Sequence, residues 1–120
     1  MALYAFVTPV LPGKVDEWHR LVAEMTGARR KEYEESRRKA GLRKEMVWHQ
    51  TTPMGDVAAV IFDTDDFEGV FRYFAASKAP FDVWFNDKIL KGVHGIDMSA
   101  GMPGGLPKPV LLWQSDGAQK

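Results

Sequence analysis

The chain has 120 residues, 45 % of them hydrophobic and 27 % charged, and its 16 basic side chains balance 16 acidic ones. This composition predicts one soluble globular domain over residues 1–120. A neutral chain lacks the positive charge with which proteins bind nucleic acid or anionic membranes, so neither is an expected partner. The absence of cysteine excludes disulfides and thiolate chemistry. No apolar run approaches the ~20 residues of a membrane span and no signal-peptide pattern is present, so a cytoplasmic protein is expected.

The first half of the chain predicts a strand and two helices. Leu3 to Val10 is apolar at both alternating positions, which predicts a strand buried on both faces. A helix with one apolar face is expected from about Val15, after a Pro-Gly turn. Beyond Gly27, the charged residues Arg29 to Lys39 are spaced as i,i+4 ion pairs, which predicts a largely solvated helix that ends at Gly41.

A β-hairpin is predicted next. Its strands run from about Arg43 to Thr52 and from Val57 to Asp63, and residues 53–56 form the turn. On the first of these strands, one face carries Glu45, Val47, His49 and Thr51. The pattern leaves open whether this face meets the helices or a second sheet, so His49 is assigned either to a pocket or to an interface.

The second half predicts a helix from Phe67 to about Ser77 and a further helical stretch from Ala79 to Gly95. The latter stretch carries aromatic and aliphatic residues at helical spacing. A Gly/Pro-rich connection, residues 101–109, leads to a last predicted strand, Val110 to Gln114, and residues 115–120 are expected to be a disordered tail.

The resulting order β-α-β-β-α-β predicts an α+β, ferredoxin-like fold with a four-stranded antiparallel sheet and helices on one face. Two helices cover only one face of such a sheet, yet every predicted strand carries apolar residues on both faces. The uncovered face would form one contiguous apolar patch, and such patches mark interfaces. The sequence therefore predicts a homodimer in which two sheets pack face to face.

The element order resembles the dimeric α+β barrel superfamily, which includes antibiotic-biosynthesis and haem-degrading monooxygenases. The most specific local similarity is the pattern of Phe81, Trp84, Phe85, Leu90 and His94 in the last helical stretch. The hairpin at residues 51–56 makes the chain most similar to an uncharacterised branch. The resemblance covers nearly the whole chain and implies a dimeric α/β barrel, but the same fold serves unrelated activities.

His94 is the first candidate for chemistry. The resemblance implies that a histidine at this place is the axial ligand of a haem, and neutral imidazole suits iron. Haem-degrading relatives also carry a polar residue, often Asn, on strand one, where this chain offers Tyr4 and Thr8. The alternative is a histidine that interacts with the C-terminal end of the helix dipole or packs in the core.

The other two histidines differ in what their positions predict. His49, near neutral pKa, could act as a general base if its face lines a pocket. His19 is next to Trp18 and is predicted to point away from the apolar stripe of its helix into solvent. The spacing of the three histidines matches no metal motif, so no metal site is predicted.

Three functions remain as hypotheses. The first is an enzyme, a cofactor-independent monooxygenase or isomerase acting on a small aromatic or polyketide-like substrate, with His49 and His94 as catalytic residues. Its predicted substrate-binding residues are Trp18, Phe81, Trp84 and Phe85, although aromatic residues at helical spacing are also typical of a core. The second is a non-catalytic module, stress-related or binding a small hydrophobic ligand. The third is haem binding through His94.

Overall fold

The computed structural model describes residues 2–98 and 106–115. The elements in chain order are β1 (Leu3–Pro9), α1 (Val15–Thr26), α2 (Arg30–Ala40), β2 (Leu42–Thr52), β3 (Gly55–Thr64), α3 (Phe67–Ala76) and α4 (Pro80–Phe85), and α4 continues as a π-helical segment (Asn86–Lys91). The predicted α+β class is confirmed. Within the described residues, no helix combines the length and the apolar character that crossing a membrane requires.

The three strands form one antiparallel sheet in the order β1-β3-β2. The hairpin of β2 and β3 keeps a regular register from the pair Lys44↔Asp63 to Thr52↔Gly55. Gly55 has a φ of 122°, a backbone conformation that residues other than glycine rarely adopt. The tight turn therefore depends on this glycine. The predicted hairpin is confirmed.

The predicted four-stranded sheet is wrong. In the part of the chain that the structure describes, the sheet has three strands, and Val110–Gln114 pairs with none of them. The side chains from Val110 to Trp113 are between 79 % and 99 % exposed. Apolar residues favour a strand only when a neighbouring strand takes up their backbone hydrogen bonds, and this segment has no such neighbour in the described residues. The predicted connection and tail lie partly outside the described residues, since 99–105 and 116–120 are not among them.

The helices cover one face of the sheet. From β1 and β3 this face contributes Phe6 and Phe62, whose rings lie 5.3 Å apart, and both contact Phe67 and Phe71 of α3. Edge-to-face and tilted ring pairs at these distances are favourable beyond the area they bury. Val60 and Ala58 on β3 complete the buried side of the sheet.

The opposite face of the sheet is uncovered. Its residues include Leu3 and Val7 of β1 and Trp48 of β2, all more than half exposed, while Met46 and Ile61 between them are half-buried. The prediction that strand one is buried on both faces is therefore wrong for a single chain. The reason is that all of the packed helices lie on the other side.

Helix α2 is less solvated than its charged sequence predicts. Ser36 and Arg37 are buried, because this face of the helix packs on α3 and α4. The Arg37 guanidinium lies 4.3 Å from the centre of the Phe85 ring, a cation–π contact that partly replaces its hydration. The exposed face does carry i,i+4 pairs such as Lys39 with Glu35, and Gly41 ends the helix in the left-handed conformation.

Candidate functional site

A cavity of about 510 Å³ lies between the covered face of the sheet and the helices. This volume is in the range of ≈ 300–1,000 Å³ that is usual for small-molecule sites. Most of its wall is aliphatic or aromatic. The polar residues of the wall are Thr8, His19, Thr26, Tyr33, Glu45, His49 and His94.

Trp18 is the residue around which the three histidines gather. Its indole ring lies 5.2 Å from the His19 ring, 5.2 Å from the His49 ring and 5.7 Å from the His94 ring, and each pair is edge-to-face. Trp18 is 4 % exposed and sits on the buried stripe of α1 with Leu21 and Met25. The fold thus brings together three imidazoles that are far apart in the sequence.

The position of His49 answers the question that the sequence left open. On β2, His49 pairs with Ala58 of β3, which is fully buried on the helix side of the sheet. The face that carries Glu45, Val47 and His49 therefore meets the helices, and all three residues belong to the cavity wall. His49 lies in the pocket and not on the uncovered face of the sheet.

Within the described residues, the ring of His94 makes one hydrogen bond. Its Nδ1 lies 2.7 Å from the carbonyl oxygen of Pro9 at the end of β1. A carbonyl only accepts, so Nδ1 carries the hydrogen and the neutral ring keeps its lone pair on Nε2. Burial lowers the pKa of His94, and the bond to Pro9 only partly opposes this. In the described residues nothing bonds to Nε2, so His94 presents a neutral, basic nitrogen rather than the charged ring that would favour a helix dipole.

His49 and His19 belong to a hydrogen-bonded array. His49 Nε2 lies 2.8 Å from Asp56 Oδ1, and His49 Nδ1 lies 3.0 Å from His19 Nε2. Thr51 Oγ1 donates to the same Asp56 oxygen at 2.7 Å. The bond from His49 and then that from Thr51 lower the pKa of Asp56, which keeps it ionised. His19 is exposed, as predicted, but its ring also belongs to the cavity wall.

The other end of the cavity contains a buried carboxylate. Tyr33 and Arg37 both donate to Glu45 Oε1, each at 2.8 Å. Burial, and then the charge of Glu45, raise the pKa of Tyr33, so its hydroxyl stays a neutral donor. Arg37 balances the charge of Glu45. Along β2, Glu45 and His49 are four residues apart, which separates the two polar ends of the cavity by roughly 13 Å.

Two of the four predicted aromatic residues line the cavity. Trp18 and Phe85 belong to its wall. Trp84 instead packs under the guanidinium of Arg29, 4.4 Å from the ring centre, and against Phe81 at 5.5 Å. Phe81 belongs to a separate, smaller cavity of about 190 Å³. One face of α4 therefore reaches the cavity, and Phe81 and Trp84 are not on it.

The sequence interpretation missed His19, Asp56, Tyr33 and Glu45 as members of the site. A signal for His19 exists: with Val22 and Thr26 it forms an i, i+3, i+7 stripe, and all three line the cavity. Glu45 shares the alternation of His49 on β2. No sequence signal identifies Asp56, because its role follows from hairpin register.

The residues of the cavity do not fit a haem. In its described wall there is neither lysine nor arginine, whereas Glu45 adds a carboxylate, so two haem propionates would find no counter-charge there. On β1 the wall offers Thr8, whose buried hydroxyl bonds to the Pro9 carbonyl, in place of an asparagine. Among the described residues there is also no group of three or more side chains that could hold a metal ion.

Comparisons of the chain with protein-family models, with curated proteins and with solved structures find no match. The resemblance in element order to the dimeric α+β barrel superfamily therefore stays a prediction.

Proposed function

We propose that the protein is an enzyme that removes a proton from a small aromatic, polyketide-like substrate and catalyses its isomerisation or cofactor-independent oxygenation. The observation that carries this proposal is the neutral imidazole of His94, which lies in the wall of a largely apolar cavity of about 510 Å³ and whose Nε2 bonds to none of the residues that the structure describes. Because this imidazole is already neutral, it can accept a proton from the substrate without first having to release a proton to solvent.

His94 is the better placed of the two predicted bases. Its Nε2 has no hydrogen-bond partner among the described residues, whereas both ring nitrogens of His49 are engaged by Asp56 and His19. Trp18 and Phe85 would position the substrate ring next to it. The charge left after proton removal would be delocalised over the substrate ring, which is why an aromatic ketone or phenol is the expected substrate class.

The chemistry balances without a cofactor. In isomerisation, the proton leaves one carbon and a proton returns at another atom of the same conjugated system. In oxygenation, the carbanion gives two electrons to molecular oxygen with formation of a C–O bond. Protonation yields a hydroperoxide, and loss of water from it yields a ketone. An anthrone plus oxygen thus gives an anthraquinone plus water.

The experiment uses a dihydroxyanthrone, whose ring methylene proton is acidic. Anthraquinone absorbance and oxygen uptake are followed with the purified protein, and the rate without protein is subtracted. Replacement H94Q is expected to lower kcat by about 10²- to 10⁴-fold, the usual contribution of a general base. Trp84→Phe is the matched control, because Trp84 packs outside the cavity, and it should leave the rate unchanged. Equal rates for the wild type and H94Q would contradict the proposal.

A non-catalytic ligand-binding module is the second candidate. It is favoured by the far end of the cavity, where Tyr33 and Arg37 both donate to Glu45 and leave a wall suited to holding a ligand. In that case the anthrone would bind and quench the fluorescence of Trp18, W18F would lose this quenching, and no product would form.

We also propose a homodimer formed through the uncovered face of the sheet. Two copies of the same apolar face are self-complementary about a two-fold axis. The exposed residues Leu3, Val7 and Trp48 would be buried between the sheets. As the sequence predicts, we also propose that the protein is located in the cytoplasm.

A further inference from the structure

Four side chains form a continuous hydrogen-bonded array from the β-hairpin to α1. The array runs from the Thr51 hydroxyl to the Asp56 carboxylate (2.7 Å), from Asp56 to His49 (2.8 Å), and from His49 to His19 (3.0 Å). The two imidazole rings are 5.0 Å apart and steeply inclined to one another. Both belong to the wall of the cavity.

The hairpin register builds this array. Thr51 and Asp56 are direct partners in the register of β2 and β3, and His49 lies two residues before Thr51 on the same face of β2. Asp56 therefore reaches both side chains without any strained backbone. Helix α1 then crosses this face and sets His19 against the remaining nitrogen of His49.

The proton positions follow from the donor and acceptor types. A carboxylate only accepts, so His49 Nε2 carries a hydrogen toward Asp56. The contact between His49 Nδ1 and His19 Nε2 needs one hydrogen between two nitrogens. Every nitrogen of His49 is thus engaged, and the one ring nitrogen of the array without a hydrogen-bond partner in the described residues is Nδ1 of His19.

We infer that His19 is the residue of this array that exchanges protons with the bound ligand or solvent, through Nδ1, and that His49 and Asp56 are positioning residues acting through it. A proton that enters at His19 Nδ1 releases the hydrogen of His19 Nε2 to His49 Nδ1. His49 then becomes an imidazolium beside Asp56, and a carboxylate in that place stabilises it. In all, the array takes up one proton at His19, and the positive charge that this proton brings ends on His49.

This inference rests on the proposed function for its substrate, and it supplies the acid that the proposed function needs. His94 and the array both contact Trp18, and burial keeps His94 neutral, whereas His49 connects His19 to the Asp56 carboxylate. A neutral base and a separate proton donor in one cavity can act as an acid–base pair. His94 takes the proton from the substrate, and His19 returns one at the other end of the conjugated system.

The charged groups around the array are few. His49 faces His19 from α1 and Asp56 from β3. On α1 itself, the nearby charges of Lys14, Glu17 and Arg20 are paired with one another at 3.3 Å and 3.7 Å. Asp56 is therefore the charged group that is in hydrogen-bond contact with the two rings, through His49.

The test is NMR spectroscopy of the three imidazoles in the intact protein without ligand. Long-range nitrogen–proton spectra should show His49 with its hydrogen on Nε2 and His94 with its hydrogen on Nδ1. In D56N, an amide that can also donate replaces a carboxylate that only accepts, so the hydrogen of His49 should no longer be confined to Nε2, and His19 should likewise populate both of its neutral tautomers. His94 should keep its hydrogen on Nδ1. The control T51V removes one hydrogen bond to Asp56 but keeps the carboxylate, and should leave the three tautomers unchanged.

A second variant separates a coupled array from two independent contacts. In H49Q, the path from Asp56 to His19 is cut, so adding D56N should no longer change the tautomer populations of His19. Tautomer populations of His19 that are the same in the wild type and in D56N would overturn the inference.

Turnover of the dihydroxyanthrone distinguishes this inference from the proposed function. H19Q should lower kcat by about 10²-fold, and D56N should have little further effect in the H19Q background, because both act through one ring. Full turnover in H19Q would overturn the role of His19 while leaving the proposed function intact. Coupled tautomers of His19 and His49 with no turnover in any variant would support the array and contradict the proposed function.

Discussion

Trp18 contacts histidines in two different environments. Burial and a backbone carbonyl keep His94 neutral, whereas the more exposed His49 bonds to the Asp56 carboxylate and to the His19 ring. The same side chain type thus has two different sets of hydrogen-bond partners within one cavity. These partners and not the residue type set where each ring carries its hydrogen.

The neutral state of His94 predicts a dependence of stability on pH. Its pKa in the folded protein is below the ordinary value of 6.5, so the unfolded chain binds more protons as the pH falls through this value. The contribution of the neutral His94 to the free energy of unfolding should therefore be complete above about pH 6.5, and it should decrease as the pH falls below this value. Urea unfolding at pH 7 and at pH 5.5 measures this difference.

Replacement H94N supplies the control for that measurement. Asparagine can donate to the Pro9 carbonyl as Nδ1 does, but it does not titrate. The loss of stability between pH 7 and pH 5.5 should be smaller in H94N than in the wild type. Aspartates with lowered pKa values, such as Asp56 and Asp63, titrate at lower pH and do not contribute in this window. An unchanged pH dependence in H94N would contradict a buried neutral His94.

At the scale of elements, one buried carboxylate connects three helices. Asp82 of α4 is 1 % exposed and accepts from Ser36 of α2 at 2.5 Å, from Tyr73 of α3 at 2.7 Å and from Ser77 at 2.6 Å. Burial alone raises the pKa of Asp82, but the three hydroxyl donors outweigh it, and the net pKa is lowered. The carboxylate is therefore ionised and fully hydrogen-bonded where the helices meet.

Asp82→Ala is expected to lower the free energy of unfolding by about 2–4 kcal/mol, because it leaves three hydroxyl groups without their acceptor. Chemical denaturation monitored by circular dichroism measures the change. Asp87→Ala, at an exposed position of the segment that follows, is the matched control and should cost less than about 0.5 kcal/mol. A cost for D82A as small as that of D87A would show that this connection does not stabilise the helices.

The π-helical segment after α4 also belongs to this scale. The sequence predicts a continuous helix from Ala79 to Gly95, and helical backbone does run from Pro80 to Lys91. The wider turn lets Ile89 and Leu90, neighbours in sequence, both line the cavity. Asn86 at its start donates to the Phe74 carbonyl at 2.7 Å. Regular spacing in the sequence carries no signal for such a turn, which is set by packing on α3.

For the whole molecule, the uncovered sheet face predicts self-association. Val7 is 66 % exposed at the centre of β1 on this face. Val7→Lys should weaken the proposed dimer by at least about tenfold, or 1.4 kcal/mol, because a charge would be buried between two apolar sheets. Light scattering coupled to size-exclusion chromatography over a range of concentrations measures the association.

The control for this prediction is Val83→Lys. Val83 is also exposed, 51 %, but it lies on α4, on the helical side of the molecule. It should leave the dimer unchanged. A wild-type protein that is monomeric at all concentrations would refute the sheet-face dimer.

The sequence by itself determined the local elements. Alternating and helical apolar patterns, the helix end at Gly41 and the turn at residues 53–56 predict two helices before the hairpin, the hairpin itself and the helices that follow it, and the structure confirms each of these. The reason is that these signals depend on contacts within about one turn of the chain. They also predict strand β1, but they wrongly predict that both of its faces are buried.

Only the tertiary structure decided the site. The pairing of β1 with β3 and of β3 with β2 selects which face of β2 meets the helices, and so places His49 in the cavity. It joins His49 to Asp56 and His19, and it leaves Val110–Gln114 without a strand partner although its composition favours one. A strand and a hydrogen-bonded array of side chains both require partners that are distant in sequence. A period of two or of 3.6 residues carries no information about which distant partner is present.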